Sequence, residues 1–246
     1  MKLGLRVLSR SDVPFRDSEE AAQLLCDELE AYRASHPVIL GIPRGGLLLA
    51  SELSRLLNAD LDVMMTHKVP SEKDREVAVG AVTECGRLFV ERSNSGSIGD
   101  TYLHDEKNRQ LTLLHSRLDQ YRKALPRIPL QGRVVIVTDD GVATGFTMKA
   151  ALWAARQQHP ARLVAAVPVA PETVLKELSL FADETVCLKT PPLFYGVGQF
   201  YEDFGPVEDR DLMRLLEAGR KGGGPSHGEP IDPKKQGAMG PLQRAG

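Results

Sequence analysis

An α/β fold with a central, mostly parallel sheet flanked by helices is the architecture that the sequence predicts. Short apolar segments alternate with longer amphipathic segments through most of the 246 residues. Two short segments, 38–42 and 134–137, are apolar throughout, which is typical of strands buried on both faces of a parallel sheet. A chain of this length can form one such domain.

In the first half of the chain, the pattern predicts two helices, two sheet strands and a hairpin. Residues 1–14 have no clear periodicity and are interpreted as a poorly defined N-terminal lead-in. An acidic helix start at 17–20 follows, and Pro37 ends that helix. The next elements are a strand at 38–42, a turn at 43–46 that leads into a second helix, a strand at 61–66, a polar mobile loop at 69–77, and a hairpin of 78–83 with 87–91.

The second half continues the alternation of helices and strands. A long helix at 101–125 carries leucine and tyrosine at spacings of three and four residues. A strand from Val134 comes next, followed by further helices and strands at 145–158, 163–169, 171–181 and 185–188 and by a last helix at about 207–218. Residues 218–246 are rich in Gly, Pro, Lys and Gln and are predicted to be a disordered tail, so the expected domain spans 15–217.

The composition is that of a globular protein. It is 42% hydrophobic and 26% charged, and its net charge of −2 gives no electrostatic reason to expect nucleic-acid binding. No apolar run approaches the roughly 20 residues of a membrane span, and Met1 to Phe15 lack the apolar core of a signal peptide. Cys26, Cys85 and Cys187 are far apart and are expected to be reduced, so we expect a cytoplasmic protein without a membrane partner.

The most informative segment is 134–147, where the apolar strand ends in the adjacent carboxylates Asp139 and Asp140. A loop of small and hydroxyl residues follows and leads into a helix. Backbone N–H groups in such a loop and in the first helical turn form a phosphate site, which the helix dipole strengthens. The carboxylates can accept hydrogen bonds from sugar hydroxyls or bind Mg²⁺. Together these groups suit a ribose 5-phosphate; the alternative is an ordinary strand–turn–helix with an acidic turn.

Two familiar nucleotide-binding loops are absent from the sequence. The Walker A pattern G-x-x-x-x-G-K-[ST] does not occur, since Phe146 stands where its lysine would be. The Rossmann pattern G-x-G-x-x-G does not occur either. The segment is therefore a phosphate loop of another type.

Segment 134–147 resembles the phosphoribosyl pyrophosphate (PRPP) motif of type I phosphoribosyltransferases, with four apolar residues, two acids and a phosphate loop that ends in T-G-x-T. Residues 41–46, 78–81 and 197–204 are similar to the runs G-[IL]-P-R-G-G, A-x-G-A and V-G-Q-x-Y-x-D-F of uncharacterised bacterial phosphoribosyltransferase-domain proteins. The resemblance covers residues 15–217. It implies the type I fold, with a small C-terminal hood at about 190–205.

The resemblance implies transfer of a 5-phosphoribosyl group between PRPP and a nitrogenous base, with release of pyrophosphate. Asp139 and Asp140 would hold the ribose hydroxyls and, together with PRPP, the Mg²⁺ cofactor. Purine or pyrimidine salvage is the implied role, PRPP and a base are the implied partners, and a homodimer is common among similar proteins. The PRPP phosphates would be bound by Gly45, Gly46, Gly141, Val142, Ala143, Thr144, Gly145, Phe146 and Thr147.

Two basic residues are expected to stabilise the leaving pyrophosphate. Arg44 precedes the Gly45–Gly46 pair in a segment that resembles the family's short pyrophosphate loop, which often contains a cis peptide. The residues alone also fit a tight turn that needs glycine for its geometry. Lys68 follows the second strand, in the region where the family carries its flexible catalytic loop.

The loop at 69–77 contains further charged residues whose roles stay open. A solvated loop surface is an equal alternative to substrate binding for Lys73 and Arg75. Nothing in the sequence selects a general acid or base among Glu72, Asp74 and Glu76.

The aromatic segment at 194–204 resembles the family's hood, which covers the nucleobase. Phe194 and Tyr195 are the candidates for stacking on the base, and Asp203 is the candidate for reading its edge. The alternative is an aromatic mini-core beneath an irregular segment. Many 6-oxopurine enzymes of the family have Asp at the position of Ala143, so its absence here weakens an assignment to hypoxanthine or guanine.

Two other functions remain as alternatives. The same fold occurs in regulators that sense PRPP or nucleotides without transferase activity, although the chain shows no Lys/Arg-rich stripe or helix-turn-helix. A scaffold with a degenerate site is the other alternative, and the intact acid pair argues against it. The sequence does not identify the acceptor.

Overall fold

The computed structural model describes residues 4–90 and 99–205, together with 208, 210, 212–214 and 216. Its strands are β1 (Gly4–Ser9), β2 (Val38–Gly41), β3 (Asp60–Val63), β4 (Thr66–Pro70), β5 (Ala78–Thr83), β6 (Leu88–Val90), β7 (Val134–Thr138), β8 (Arg162–Val169) and β9 (Glu184–Lys189). Its α-helices are α1 (Ser18–Leu29), α2 (Gly45–Leu57), α3 (Asp100–Arg122), α4 (Phe146–Arg156) and α5 (Glu172–Leu178).

Six parallel strands form the central sheet, in the order β1-β9-β8-β7-β2-β3. This arrangement confirms the predicted α/β fold with a parallel sheet. A smaller antiparallel sheet, in the order β4-β5-β6, contains the predicted hairpin. Gly86, in the hairpin turn, has a φ of +70°, a conformation that glycine adopts without steric cost.

Alternate residues of the central strands face two separate cores, one on each side of the sheet. Ile39 and Ile136 point towards α1 and α2, and pack with Leu25 among other residues. Their sequence neighbours Leu40 and Val137 point to the opposite core, where α4 and α5 pack. Burial on both faces explains why these strands are apolar at every position.

The small sheet packs against α4. Phe89 of β6 lies with its ring centroid 6.0 Å from that of Phe146, 5.9 Å from Trp153 and 5.9 Å from Phe181. Phe146, the first residue of α4, is therefore a core side chain. This aromatic cluster fixes the N-terminus of α4, which is the end that faces the candidate phosphate site.

Two sequence-based expectations about the N-terminal half are wrong. Residues 1–14 are not only a lead-in, because Gly4–Ser9 forms the edge strand β1, which pairs in parallel with β9. That strand is only partly buried, so it lacks an apolar pattern that sequence analysis would detect. The strand expected at 61–66 is two strands, since the chain leaves the central sheet after Val63 and enters the small sheet at Thr66.

Several expectations lie outside the described residues. The predicted tail at 218–246 is one, and all but the last residue of a second loop expected at 94–99 is another. Of the last predicted helix, at about 207–218, only 208, 210, 212–214 and 216 are described; 208 is not helical and the others are. Among the described residues, no helix combines the length and apolar character that crossing a membrane requires.

Candidate active site

The candidate site is built by two loops that follow adjacent parallel strands. In the register of β2 and β7, Gly41 lies opposite Thr138, so the two strands end side by side. The Ile42 N–H group donates to the Thr138 carbonyl at 3.1 Å and continues the pairing into the loops. Carboxyl ends of neighbouring parallel strands are the usual binding edge of such sheets. Segment 43–46 and the acid pair therefore meet at this edge.

Gly45 and Gly46 approach the acid pair so closely that a Cβ atom at either position would collide with it. A Cβ atom on Gly45 would lie 1.8 Å from Oδ2 of Asp140. A Cβ atom on Gly46 would lie 2.6 Å from both Cα and Oδ1 of Asp139 and 2.9 Å from the Thr138 carbonyl oxygen. Glycine at these two positions thus lets the backbone approach the acid pair closely, and Asp140 lies directly against the N-terminus of α2.

The two carboxylates have different surroundings. Asp139 accepts a hydrogen bond from the Asp140 N–H group at 3.0 Å, and the Gly46 N–H group also points at it. Burial, followed by the charge of Asp140, raises the pKa of Asp139 well above its ordinary value. Burial also raises the pKa of Asp140, which lines the open cleft described below. Asp139 therefore anchors the two loops to each other, while Asp140 faces the space available to a ligand.

These pKa shifts predict how stability changes with pH. The folded-state pKa values of Asp139 and Asp140 are raised, so the protonated form of the pair stabilises the folded protein. This contribution is fully present below the ordinary aspartate pKa of 3.8 and is lost as the pH rises through the raised values. We expect Asp139→Asn, which keeps the accepting Oδ1, to raise the Tm of the ligand-free protein by about 2–4 °C at pH 7. The advantage should shrink towards pH 4, which thermal unfolding at several pH values measures.

Asp183 provides a control of opposite sign. Burial alone would raise its pKa, but hydrogen bonds from Arg156 and the Leu163 N–H group outweigh burial and lower it. Asp183→Asn should therefore destabilise the protein at pH 7, and this loss should diminish as the pH falls through the lowered pKa. A Tm loss for Asp139→Asn that follows the same trend would contradict the cost of ionising the acid pair that the raised pKa values imply.

The predicted phosphate loop leads from Gly141 into α4. Gly145 has a φ of +76°, and its carbonyl accepts a hydrogen bond from the Lys149 N–H group at 2.8 Å, which closes the first turn of the helix. The N–H groups of the first helical residues have no intrahelical partner and remain available to a phosphate. The Val142 N–H group, in contrast, donates to the Val169 carbonyl at 2.9 Å, so this predicted phosphate donor is already engaged.

The side chains of this loop separate into exposed and buried ones. Ala143 and Thr144 are exposed, and Thr147 is half-buried at the start of α4. The Phe146 side chain packs in the aromatic cluster with Phe89, so any contact of Phe146 with PRPP is limited to its backbone.

Arg44 lies between two cavities. The larger one, called here the acidic cleft, has a volume of about 590 Å³ and is lined by Asp17, Ser18, Glu19, Arg44, Gly45, Leu48, Ser51, Glu52, Asp140, Asp203, Phe204 and Gly205. The smaller one, called here the basic cavity, has a volume of about 280 Å³ and is lined by Ile42, Pro43, Arg44, Met64, Met65, Thr66, His67, Arg117, Gln120, Tyr121 and Thr147. The Pro43–Arg44 peptide bond is cis, as the resemblance implied for this loop.

The two cavities differ in charge. Five carboxylates and one guanidinium line the acidic cleft. The basic cavity has no carboxylate in its lining, but contains Arg44, Arg117 and His67. Among the described residues, neither Arg44 nor Arg117 forms an ion pair with a carboxylate. The basic cavity therefore suits an anion, whereas the acidic cleft suits a ligand without negative charge.

Lys68 lies on β4 and does not line either cavity. Its cross-strand partner is Ala81, which packs against Phe146 and Ala150, so the exposed Lys68 extends from the sheet face that covers α4. The structure thus places Lys68 on the side of the phosphate loop, and its predicted role with pyrophosphate stays a prediction.

The segment after Lys68 is an exposed turn that is fastened to α3. Arg75 pairs with Glu106 at 3.0 Å, and Gln110 donates to the same carboxylate at 2.6 Å. Gln110 in turn contacts His67 Nδ1 at 2.5 Å, at the wall of the basic cavity. Arg75 is therefore engaged in an ion pair with α3, and its predicted role in substrate binding stays a prediction. Lys73 and its acidic neighbours Glu72, Asp74 and Glu76 are exposed.

The three predicted base-binding residues, Phe194, Tyr195 and Asp203, have different surroundings. The Phe194 ring packs on Phe200, with centroids 5.1 Å apart, and belongs to a core, as the mini-core alternative predicted. Tyr195 is 86% exposed and does not line the acidic cleft. Asp203 does line it, together with Phe204. The aromatic ring that faces the cleft is thus Phe204, which the sequence-based reasoning did not select.

Comparison with known proteins agrees with this geometry. The model of the phosphoribosyl transferase domain family matches residues 16–201. The chain belongs to the type I phosphoribosyltransferase family. The crystal structure of TT1426 from Thermus thermophilus has a TM-score of 0.76 and 40% sequence identity, and the alignment covers 84% of this chain and 99% of that one.

Two curated relatives from Mycobacterium tuberculosis strains are named "Putative phosphoribosyl transferase Rv0571c" and "Putative phosphoribosyl transferase MT0597". Each is 37% identical over 205 residues, which is 82% of this chain and 46% of the relative. The chain thus spans about half the length of these curated relatives.

Within this phosphoribosyltransferase domain, sequence reasoning missed three residues of the site: Arg117, Tyr201 and Phe204. Arg117 lies in the middle of a helix that is otherwise rich in solvated charges, so no local pattern marks it. Tyr201 and Phe204 belong to the run V-G-Q-x-Y-x-D-F, which was the available signal. The spacing of that run did not reveal which aromatic ring faces the cleft.

Proposed function

We propose that the protein transfers a 5-phosphoribosyl group from PRPP to a nitrogenous base and releases pyrophosphate. The observation that carries this proposal is the contact of the Gly45–Gly46 backbone with Asp139 and Asp140, between a basic and an acidic cavity. The diphosphate is anionic and suits the basic cavity, the ribose hydroxyls suit the carboxylates of the acid pair, and an acceptor without negative charge suits the acidic cleft. The family membership supports the same assignment.

Each part of PRPP has a matching group in the site. The N–H groups at the start of α4 and the Thr147 hydroxyl would hold the 5-phosphate. Asp140 would accept hydrogen bonds from the ribose hydroxyls and offset positive charge on the sugar ring as the bond to pyrophosphate breaks. Arg44 and the Gly45 backbone would bind the departing diphosphate. Catalysis would then come mainly from positioning and from stabilising the charges that develop.

The acid pair fits a divalent cation. Two adjacent carboxylates with raised pKa values are relieved when a cation binds beside them. Among the described residues, no cluster of three or more His, Cys, Asp or Glu forms a protein-only metal cage, and Mg²⁺ characteristically uses one or two carboxylates plus substrate oxygens. We therefore propose that Asp140, supported by Asp139, contributes to holding Mg²⁺ with PRPP, where it would neutralise diphosphate charge.

The acceptor would occupy the acidic cleft. Phe204 offers an exposed ring for stacking on a flat base, in place of Phe194, and Asp203 beside it can accept a hydrogen bond from a ring N–H or amino group. Purine and pyrimidine acceptors both fit this description. Carboxylate-bearing rings fit it less well, because the cleft has a single cation and that cation is shared with the basic cavity.

A base-panel assay tests the proposed function. Mg-PRPP is incubated with adenine, hypoxanthine, guanine, uracil and orotate, and pyrophosphate release is measured, alongside thermal stabilisation by Mg-PRPP alone. Release with at least one base supports transfer. Stabilisation without release for any acceptor, combined with DNA or RNA binding that weakens with salt, would instead support a PRPP-sensing regulator. No stabilisation and no release would leave the degenerate-site alternative.

Arg117 gives a prediction that separates the basic cavity from the rest of the surface. We expect Arg117→Gln to weaken pyrophosphate binding, measured as its inhibition constant, about tenfold, because a charge-assisted hydrogen bond to an anion is lost. Lys123→Gln, which removes an equal charge at the C-terminal end of the same helix, should change it less than about twofold. Equal effects of the two substitutions would show that only overall charge matters.

A further inference from the structure

Tyr201 connects the hood to the acid pair. Its side chain is 5% exposed, and its hydroxyl group donates a hydrogen bond to the Asp140 backbone carbonyl at 2.6 Å. This bond joins two residues that are 61 positions apart in the sequence. Its acceptor is the backbone of Asp140, the residue whose carboxylate faces the acidic cleft. Burial, and then the charges of Asp140 and Asp139, raise the pKa of Tyr201.

The same tyrosine supports the ring that faces the acceptor. The Tyr201 and Phe204 rings are stacked, with centroids 5.1 Å apart and planes inclined by 24°. Phe15 lies on the tyrosine as well, at 5.4 Å. Phe204 lines the acidic cleft together with Asp140. One side chain therefore touches both the wall of the acceptor space and the loop that carries the ribose carboxylate.

The backbone on both sides of Tyr201 is held by hydrogen bonds to residues 15–16. The Phe15 N–H group donates to the Phe200 carbonyl at 2.7 Å, and the Glu202 N–H group donates to the Phe15 carbonyl at 2.8 Å. The Asp203 N–H group donates to the Arg16 carbonyl at 2.9 Å. Residues 15–16 lead directly into Asp17, which caps α1 and lines the cleft. Tyr201 thus lies in a segment whose backbone is hydrogen-bonded to a second segment of the chain.

We propose that Tyr201 is a positioning residue, which couples the acceptor wall formed by Phe204 to the ribose carboxylate Asp140. The inference rests on the proposed function, since it assigns a role within phosphoribosyl transfer. The reacting nitrogen must meet the ribose carbon at a fixed distance and angle, and small displacements of either partner lower the rate steeply. Tyr201 contacts both Phe204, which would support the acceptor, and the backbone of Asp140, which would hold the ribose.

Tyr201→Phe tests the inference, because it removes the hydroxyl group and keeps the stacked ring. With an acceptor identified in the base panel, we expect kcat to fall about tenfold and the dissociation constant of Mg-PRPP to rise a few-fold, because the Asp140 loop loses its anchor. The acceptor KM should change less than about twofold, since the stack on Phe204 remains. Phe204→Leu should show the complementary result, with the acceptor KM raised about tenfold and Mg-PRPP binding unchanged.

Tyr32→Phe is the matched control. Its hydroxyl contacts Glu184 and Arg162 at the far end of the sheet, so its loss should lower Tm without changing kcat or KM. The inference is overturned if Tyr201→Phe behaves like Tyr32→Phe, or if it raises the acceptor KM instead of lowering kcat. A wild-type protein that binds no Mg-PRPP in calorimetry contradicts both the proposed function and the inference. A wild-type protein that binds and turns over, with Tyr201→Phe equal to it, contradicts the inference alone.

Discussion

Replacing Asp140 by asparagine is expected to lower kcat about 100- to 1000-fold, the range seen when a group that stabilises transition-state charge is removed. The amide has nearly the shape of the carboxylate but cannot offset positive charge on the sugar ring. Since the pKa of Asp140 is raised by burial, loss of its charge should leave the Tm unchanged or slightly higher. Steady-state kinetics and thermal unfolding on the same preparation measure the two effects.

Glu52→Gln is the control for this substitution. Glu52 also lines the acidic cleft, but it pairs with Arg55 on the outer surface of α2. Its neutralisation should change kcat less than about twofold, because its carboxylate is already paired with Arg55. If Asp140→Asn retains more than a third of wild-type activity, the assignment of Asp140 to the ribose is wrong.

The second large effect is expected when one methyl group is added to Gly45 or to Gly46 in the proposed pyrophosphate loop. In Gly45→Ala the new Cβ overlaps the Asp140 carboxylate, whose side chain can rotate away. We expect activity to fall about 100-fold, because Asp140 leaves its working position, while the free energy of unfolding drops by less than about 1 kcal/mol. In Gly46→Ala the new Cβ meets the Asp139 Cα atom and the Thr138 carbonyl, which cannot move alone. We expect a loss of about 1–3 kcal/mol of stability.

Gly99→Ala separates these effects from a general cost of replacing glycine. Gly99 precedes α3 with a φ of −65°, and a Cβ atom added there would meet nothing within 4 Å. Activity and stability should both stay close to wild type. Denaturant unfolding gives the stability of all three variants, and pyrophosphate release gives their activity. Equal stability losses for Gly45→Ala and Gly46→Ala would mean that Asp140 is held as firmly as backbone.

The parts of the fold that sequence predicted well are those with a strong local signal. The strands β2 and β7 are apolar at nearly every position because both faces are buried, and the hairpin of β5 and β6 carries a glycine at its turn. Strand β1 was missed because its stability comes from backbone pairing with β9 and only partly from burial. The break between β3 and β4 was missed because Met64 and Met65 are buried and apolar, like the strands on either side.

The site shows the same division between local and long-range information. Asp139, Asp140 and the Gly45–Gly46 pair were predicted because each lies directly after a recognisable strand, and the structure brings them together. Which aromatic ring faces the cleft depends on contacts between Tyr201 and residues far away in sequence, such as Phe15 and Asp140. Arg117 lines the basic cavity because α3 lies beside segment 43–46, a contact that the local sequence does not reveal.

The pairing of residues 15–16 with 200–203 has a practical consequence for choosing expression boundaries. A fragment that starts at residue 16, where the family match begins, would lose the edge strand β1 and the phenylalanine that supports Tyr201. The fragment would keep the acid pair and both glycines. It would lack the Phe15 ring that packs on Tyr201, which in turn stacks on Phe204 in the wall of the proposed acceptor space. Truncated versions used for crystallisation or screening should therefore retain the N-terminal strand, or ligand affinities measured on them will understate those of the longer chain.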